Sequence, residues 1–278
     1  DLPHQEEAIN SVLSIFNDIK VFKPQDIYTN PIITKDTIVI NENIKEIKKD
    51  KKIKGITEEE ENKTLVLDVH METGTGKTYT YTRTIFELNR HFGINKFIIA
   101  VPTRAIKAGT VSFLKNESTF LHFRDLYGKK INCSVVNSEE NKNKGKKSFP
   151  SAINEFMRND LFDKDNINIL VINQGMINSK TIQEETYDTY IQGRHNNCIS
   201  ALASVDPVII LDEPHKFKSY NKTWSNLLEF NPQLVIRYGA TFEEYFNLIH
   251  SLDSITSFNN DLIKGVSVHV EESDYGVN

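Results

Sequence analysis

The segment Met71-Glu72-Thr73-Gly74-Thr75-Gly76-Lys77-Thr78 holds the chain's most concentrated chemistry. Gly74 and Gly76 let the backbone turn sharply, so that successive N–H groups point at one anion. A helix starting beyond them adds the positive end of its dipole. Lys77 brings a cation to the β- and γ-phosphates of a nucleotide, and the Thr78 hydroxyl is a ligand for Mg²⁺. Thr73 and Thr75 complete a loop of the composition that cradles phosphates. The pattern departs from GxxxxGK[ST] at one place, because Met71 stands where the first glycine belongs. The plain alternative is a strand–helix turn with a chance Lys-Thr.

A second constellation is Asp212-Glu213-Pro214-His215, directly after the apolar run Val208-Ile209-Ile210-Leu211. A buried strand ending in two carboxylates places both at the carboxyl edge of a parallel sheet, where open α/β folds bind ligands. Asp212 suits Mg²⁺ and Glu213 suits the polarisation of an attacking water. His215 can hydrogen-bond toward a γ-phosphate or toward a neighbouring motif. Taken alone, two acids after a strand also read as a capped helix start. A third, weaker signal is Gly239-Ala240-Thr241, a small hydroxyl-bearing turn after Leu234–Tyr238.

These motifs require elements to hold them. Short β-branched runs begin at Leu65, Phe97, Ile167, Val208 and Leu234, with a weaker one at Cys133–Val136. Runs of this kind are strands buried on both faces. The stretches Lys77–Phe92, Ile106–Lys115, Phe149–Arg158 and Trp224–Phe230 read as helices between them. Strands alternating with helices predict a doubly wound, mostly parallel α/β sheet. Upstream, Pro3–Phe16 has helical spacing, residues 23–36 read as a loop, and Thr37–Ile40 as a short strand. Residues 41–63, rich in Lys and Glu, read as a solvated hairpin or mobile insertion. Residues 139–147 read as a surface loop. The 278 residues are 38% hydrophobic and 26% charged, enough apolar material for a core and too much for a disordered chain. With 33 basic and 38 acidic residues, the net charge of −5 excludes a globally basic nucleic-acid coat. Two cysteines exclude a disulfide scaffold, and no apolar run has the length of a membrane span. The expectation is a cytoplasmic protein without a membrane partner. The lysines at 142, 144, 146 and 147 and those within 45–54 read as solvated rather than as nucleic-acid contacts.

The three motifs together resemble motifs I, II and III of the superfamily 2 (DEAD/DEAH-like) helicase and translocase core. The strings METGTGKTYTYTRTIFELNRHFG, NKFIIAVPTRAIKAG, ILVINQGMIN, PVIILDEPHKF and RYGATF more closely resemble the restriction (Res) subunit of type III restriction–modification enzymes. There a Met-initiated phosphate loop is usual, as is Asp-Glu-Pro followed by Gln or His. Motif III is usually Ser-Ala-Thr, and Gly239 replaces the Ser here. The resemblance spans residues 64–268 and is weak over 17–63.

That resemblance implies a RecA-like P-loop domain, the first motor domain of an ATP-dependent translocase on double-stranded DNA. It binds ATP and Mg²⁺ and works with a methyltransferase (Mod) subunit. Lys77, Asp212 and Glu213 are the implied catalytic residues, with Thr78 and Asp212 holding the metal. Thr73 to Thr78 and His215 are the implied nucleotide contacts, with Gln5 reading the adenine edge. Gly239, Ala240 and Thr241 couple the nucleotide to movement. Pro102-Thr103-Arg104 lies where the family contacts the sugar–phosphate backbone, and Asn173-Gln174 follows another strand end as a second such candidate. The plain alternatives are a Thr103 helix cap, a turn at Asn173, and an ordinary helix-start polar residue at Gln5. The expected organisation is an N-terminal helix and insertion over 1–63 belonging to the motor domain, the motor domain proper over 64–252, and a link over 253–278 toward a second motor domain. The segment NLIHSLDSITSFNNDLIKG resembles the start of that link. Beside the Res reading stand two rivals: a DEAH-like RNA or DNA helicase domain, and an ATP-binding regulatory module without translocation.

Overall fold

A computed structural model describes residues 2–51, 53, 64–138, 148–158, 166–218 and 221–252. The expected surface loop at 139–147 and the expected link at 253–278 lie outside the described residues.

Two helices, α1 (Pro3–Ser14) and α2 (Thr37–Asp50), precede β1 (Leu65–Met71) and α3 (Lys77–Phe92). Then come β2 (Lys96–Val101), α4 (Arg104–Lys115), α5 (Glu117–Tyr127), β3 (Lys130–Val135), α6 (Ser151–Met157) and β4 (Asn166–Asn173). A small antiparallel ribbon, β5 (Thr186–Ile191) with β6 (His195–Asn197), precedes β7 (Val208–Asp212), β8 (Leu234–Gly239) and β9 (Leu248–Leu252). The main sheet has the order β3-β4-β2-β7-β8-β1-β9, and every pairing in it is parallel.

Alternation along the strands splits the core in two. Leu67, Val69, Ile99 and Val101 face the layer of α1 to α5. Val66, Ile98, Ala100 and Leu211 face α6 and the short helices Cys198–Ala203 and Lys222–Leu228. Side chains of opposite parity on a strand leave from opposite faces, so helices must cover both. This is the doubly wound α/β arrangement that the alternation of runs predicts.

Two expectations are corrected. Thr37–Ile40 is the first turn of α2 rather than a strand. The Asp36 side chain accepts from the Val39 N–H at 3.2 Å, and Ile40 and Ile44, four residues apart, bury one helical face. Residues 41–50 therefore continue that helix rather than forming a hairpin. Leu248–Leu252, within the expected motor domain, adds a strand that no run in the sequence marks, the edge strand β9, paired with β1. Asp68 donates its backbone N–H to the Asn247 carbonyl at 2.7 Å and so fixes where β9 enters.

Candidate functional site

Because β7, β8 and β1 are adjacent, the phosphate loop, the acidic box and Gly239 all emerge along one stretch of the sheet's carboxyl edge. The loop leaves β1 at Met71 and enters α3 at Lys77. Gly74 and Gly76 have φ of +86° and +87°, a left-handed backbone that strains any residue with a Cβ. Gly76 is also the cap residue of α3. A Cβ on Gly76 would meet the side-chain amide of Gln5, the end of a flexible chain that can shift, so it is the left-handed backbone that requires glycine there. Thr75 closes the loop, its hydroxyl donating to the Glu72 carbonyl at 2.6 Å. Thr73 is exposed and Thr78 is half-buried. Met71, the departure from the glycine pattern, ends a strand and supplies a carbonyl that accepts from Lys77 Nζ at 3.4 Å.

Lys77 Nζ also stands 3.7 Å from Glu213 Oε1, which links the loop to the acidic box. Glu213 has φ +57° and ψ 64°, again left-handed but on a residue with a Cβ. Its N–H donates to the Tyr238 carbonyl at 3.0 Å. His215 Nδ1 lies 3.4 Å from Glu213 Oε2, between the box and solvent. Asp212 is buried, and its Oδ1 has no hydrogen-bond partner. Burial, and then the neighbouring charge of Glu213, push the Asp212 carboxyl up to about 6, while Lys77 and the Glu213 N–H pull it back.

The N-terminal helix reaches this site directly. Gln5 Nε2 donates to the Thr75 carbonyl at 3.2 Å, and its Oε1 accepts from the Leu2 N–H at 3.3 Å. His4 Nε2 donates to the same Thr75 carbonyl at 2.9 Å. No pattern in the sequence singles out His4, since its role depends on α1 lying across a loop 71 residues away.

Gly239 ends β8, and the Ala240 carbonyl accepts from His70 Nε2 at 3.1 Å. Thr241 is exposed. His70, unflagged in the sequence, faces Gly239 across the β1–β8 pairing. Arg237 is buried and held by Asp68 at 2.5 Å, and Arg83 is engaged by Tyr127, Glu6 and Glu87.

The strand ends after β2 and β4 are also neighbours, with Val101 opposite Asn173. Pro102 is buried, while Thr103 and Arg104 are exposed. The Thr103 hydroxyl caps α4, accepting from the Ile106 N–H at 3.2 Å, as its plain alternative reading has it. Asn173 is buried with its Oδ1 unpartnered, and Gln174 Nε2 donates to Thr223 Oγ1 at 3.1 Å. The side chain of Gln174 is therefore turned toward the protein's own Lys222–Leu228 helix. Among the described residues no cluster of three His, Cys, Asp or Glu side chains forms a metal site, and no helix is long and apolar enough to cross a membrane.

Comparison with known proteins yields one family, described as "Type III restriction enzyme, res subunit", matching residues 2–244. The chain is 45% identical over 273 residues to the type III restriction-modification enzyme EcoPI Res subunit of Escherichia phage P1, covering 96% of this chain and 28% of that protein. It is 45% identical over 276 residues to the EcoP15I Res subunit of Escherichia coli, again covering 96% of this chain and 28% of that protein. The chain thus spans just over a quarter of the length of these relatives. Among solved structures, the helicase MrfA bound to DNA and AMPPNP is similar with a TM-score of 0.40 and 11% identity, over 88% of this chain and 34% of that one.

Proposed function

This chain belongs to the family of type III restriction enzyme Res subunits, and from that premise we propose that it is the ATP-binding and ATP-hydrolysing first motor domain of a cytoplasmic translocase on double-stranded DNA. In this reading residues 1–63 and 64–252 act as one motor unit, joined to a methyltransferase (Mod) subunit in the working enzyme. The observation that carries it is the buried Asp212 Oδ1 without a partner, beside a glycine loop whose lysine already meets Glu213.

The residues fit a magnesium nucleotide. Mg²⁺ is commonly held by one or two carboxylates together with substrate phosphates, so Asp212 with the Thr78 hydroxyl is a sufficient protein contribution. When bound, the ion would neutralise charge on the β- and γ-phosphates. Lys77 would bind the same phosphates, exchanging its 3.7 Å approach to Glu213 for them. Glu213, released from Lys77, would orient and polarise the attacking water, with His215 beside it. Gln5 would read the adenine edge, exchanging its bonds to the Leu2 N–H and the Thr75 carbonyl for the base. Thr103, Arg104 and Asn173, at adjacent strand ends, would meet the DNA backbone, with Pro102 shaping that turn and Gln174 bracing it. Gly239, Ala240 and Thr241 would transmit the nucleotide state along the edge.

The test uses the full-length Res protein with its Mod partner. Lys77→Ala should abolish binding of a non-hydrolysable ATP analogue, measured by calorimetry. Glu213→Gln should keep that affinity within a few-fold and lower DNA-stimulated turnover by roughly 10²-fold or more. Equal affinity in Lys77→Ala and wild type would overturn the nucleotide assignment. Stimulation by RNA in place of duplex DNA would favour an RNA helicase, and binding without turnover would favour a regulatory module.

A further inference from the structure

We propose that Gly239 and Pro214 are a matched steric pair that sets the position of Glu213, which makes Gly239 a positioning residue for the hydrolysis described above. The inference rests on that reading of Glu213.

Gly239 is not in the left-handed region, so its backbone makes no demand for glycine. The demand is for space. A Cβ at 239 would overlap Pro214 Cδ, stand 2.9 Å from Pro214 Cγ and lie 3.5 Å from a Phe242 ring carbon. Cδ of proline is bonded to the backbone nitrogen, so the ring cannot swing aside as a long side chain can. Any yielding moves the Glu213–Pro214 peptide itself.

That peptide is already under load. Glu213 is left-handed, a conformation sparsely populated by residues with a Cβ, and a residue before proline prefers extended backbone. Such strain persists only where the surroundings over-determine it. Here they do so from three sides. The Glu213 N–H is held by the Tyr238 carbonyl at 3.0 Å. The Glu213 and Pro214 carbonyls accept from the N–H groups of Lys216 at 3.2 Å and Phe217 at 2.8 Å. The Pro214 ring rests on Gly239. Nor can the strand end retreat. Tyr238 is fully buried with its hydroxyl 2.8 Å from Thr84 Oγ1 on α3, and His70 holds the Ala240 carbonyl. The last two residues of β8 are therefore the floor on which Glu213 is set.

The experiment is a four-protein cycle in the full-length Res–Mod enzyme: wild type, Gly239→Ala, Pro214→Ala and the double variant. Gly239→Ala should lower DNA-stimulated kcat about 10-fold or more while affinity for a non-hydrolysable ATP analogue stays within about 3-fold. In the Pro214→Ala background the same added methyl should change kcat by less than about 3-fold, because the atom it meets is gone. A general packing defect would be unaffected by Pro214→Ala and would lower affinity as well. Melting temperatures of the four proteins carry the same cycle if Pro214→Ala turns over too slowly to measure. If Gly239→Ala fails to fold, a folded double variant supports the pair and a second failure overturns it. The inference is overturned if Gly239→Ala leaves kcat unchanged, or is equally harmful in both backgrounds. Glu213→Gln separates the two levels. If it leaves turnover intact, the hydrolytic reading fails. If it stops turnover while Gly239→Ala does not, only the matched pair fails.

Discussion

Two buried aspartates lie on neighbouring parts of one sheet and are treated in opposite ways. Asp68, inside β1, is fully enclosed. Its Oδ1 accepts from Arg237 Nε at 2.5 Å, and its Oδ2 accepts from the N–H groups of Phe246 at 2.6 Å and Asn247 at 3.1 Å. Arg237 in turn donates to the Glu244 carbonyl at 2.9 Å and lies 4.4 Å from the centre of the Phe246 ring, which stacks on Trp224. Asp212, ending β7, is buried nearly as deeply, yet its Oδ1 has no partner; burial pushes both carboxyls up, and only at Asp68 do an arginine and two backbone N–H groups pull against it. Desolvating a carboxylate is costly in either place. Where protein groups offset the cost, the charge ties the chain leaving β8 back onto β1 so that β9 can pair. Where they do not, a buried acceptor is left open beside the glycine loop, as the proposed metal and nucleotide role requires.

The comparison breaks most visibly at Asp68. Asp68→Ala strands Arg237 inside the sheet, and breaking a buried pair this way costs about 3–5 kcal/mol. Chemical denaturation should show that loss, and a change below about 1 kcal/mol would mean the pair is not the fastening described. Asp212→Asn should do the reverse. Metal-dependent nucleotide affinity should fall roughly 10²-fold, about 2.7 kcal/mol, while resistance to denaturant is unchanged or raised, because a desolvated charge is gone. A clear loss of fold stability would place Asp212 with Asp68.

His250 on β9 sharpens the contrast as a half-satisfied case. Its Nδ1 is 3.2 Å from Lys51 Nζ, while Nε2 is buried without a partner. Burial, then the charges of Lys51, His4 and His70, push the imidazole down to about 3. The folded state therefore binds fewer protons than the unfolded one between pH 3 and 6.5. Stability from this group is complete above pH 6.5 and is lost as pH falls toward 3, by up to about 1.4 kcal/mol per pH unit. The difference in unfolding free energy between wild type and His250→Gln, measured from pH 7 to 4, should follow that slope. A flat difference would show that His250 is not held neutral.

Much of the site was legible because its parts are contiguous. Residues 65–78 are strand, loop and helix in one stretch, and the positive φ of Gly74 and Gly76 is what a phosphate-binding turn asks of them. The acidic box likewise follows its strand without a gap. The first turn of α2 reads locally as a strand because Thr37-Ile38-Val39-Ile40 is β-branched, and a capping Asp36 with Ile40 and Ile44 on one face outweighs that local preference. β9 is not marked in the sequence, because a five-residue apolar segment acquires a strand's identity from its neighbour, and nothing local announces that neighbour.

The alternation of strands and helices, the glycine loop with its Lys-Thr, the acidic box and the edge on which both emerge are each written within a few consecutive residues. It takes the folded chain to lay α1 so that His4 and Gln5 meet Thr75, to pair Asp68 with a residue 169 positions away, and to set Gly239 against Pro214. The reason is topological. Parallel strands become neighbours through crossovers, so contacts between β1, β7 and β8 join stretches far apart in the chain. No periodicity along the sequence records which side chain will meet which.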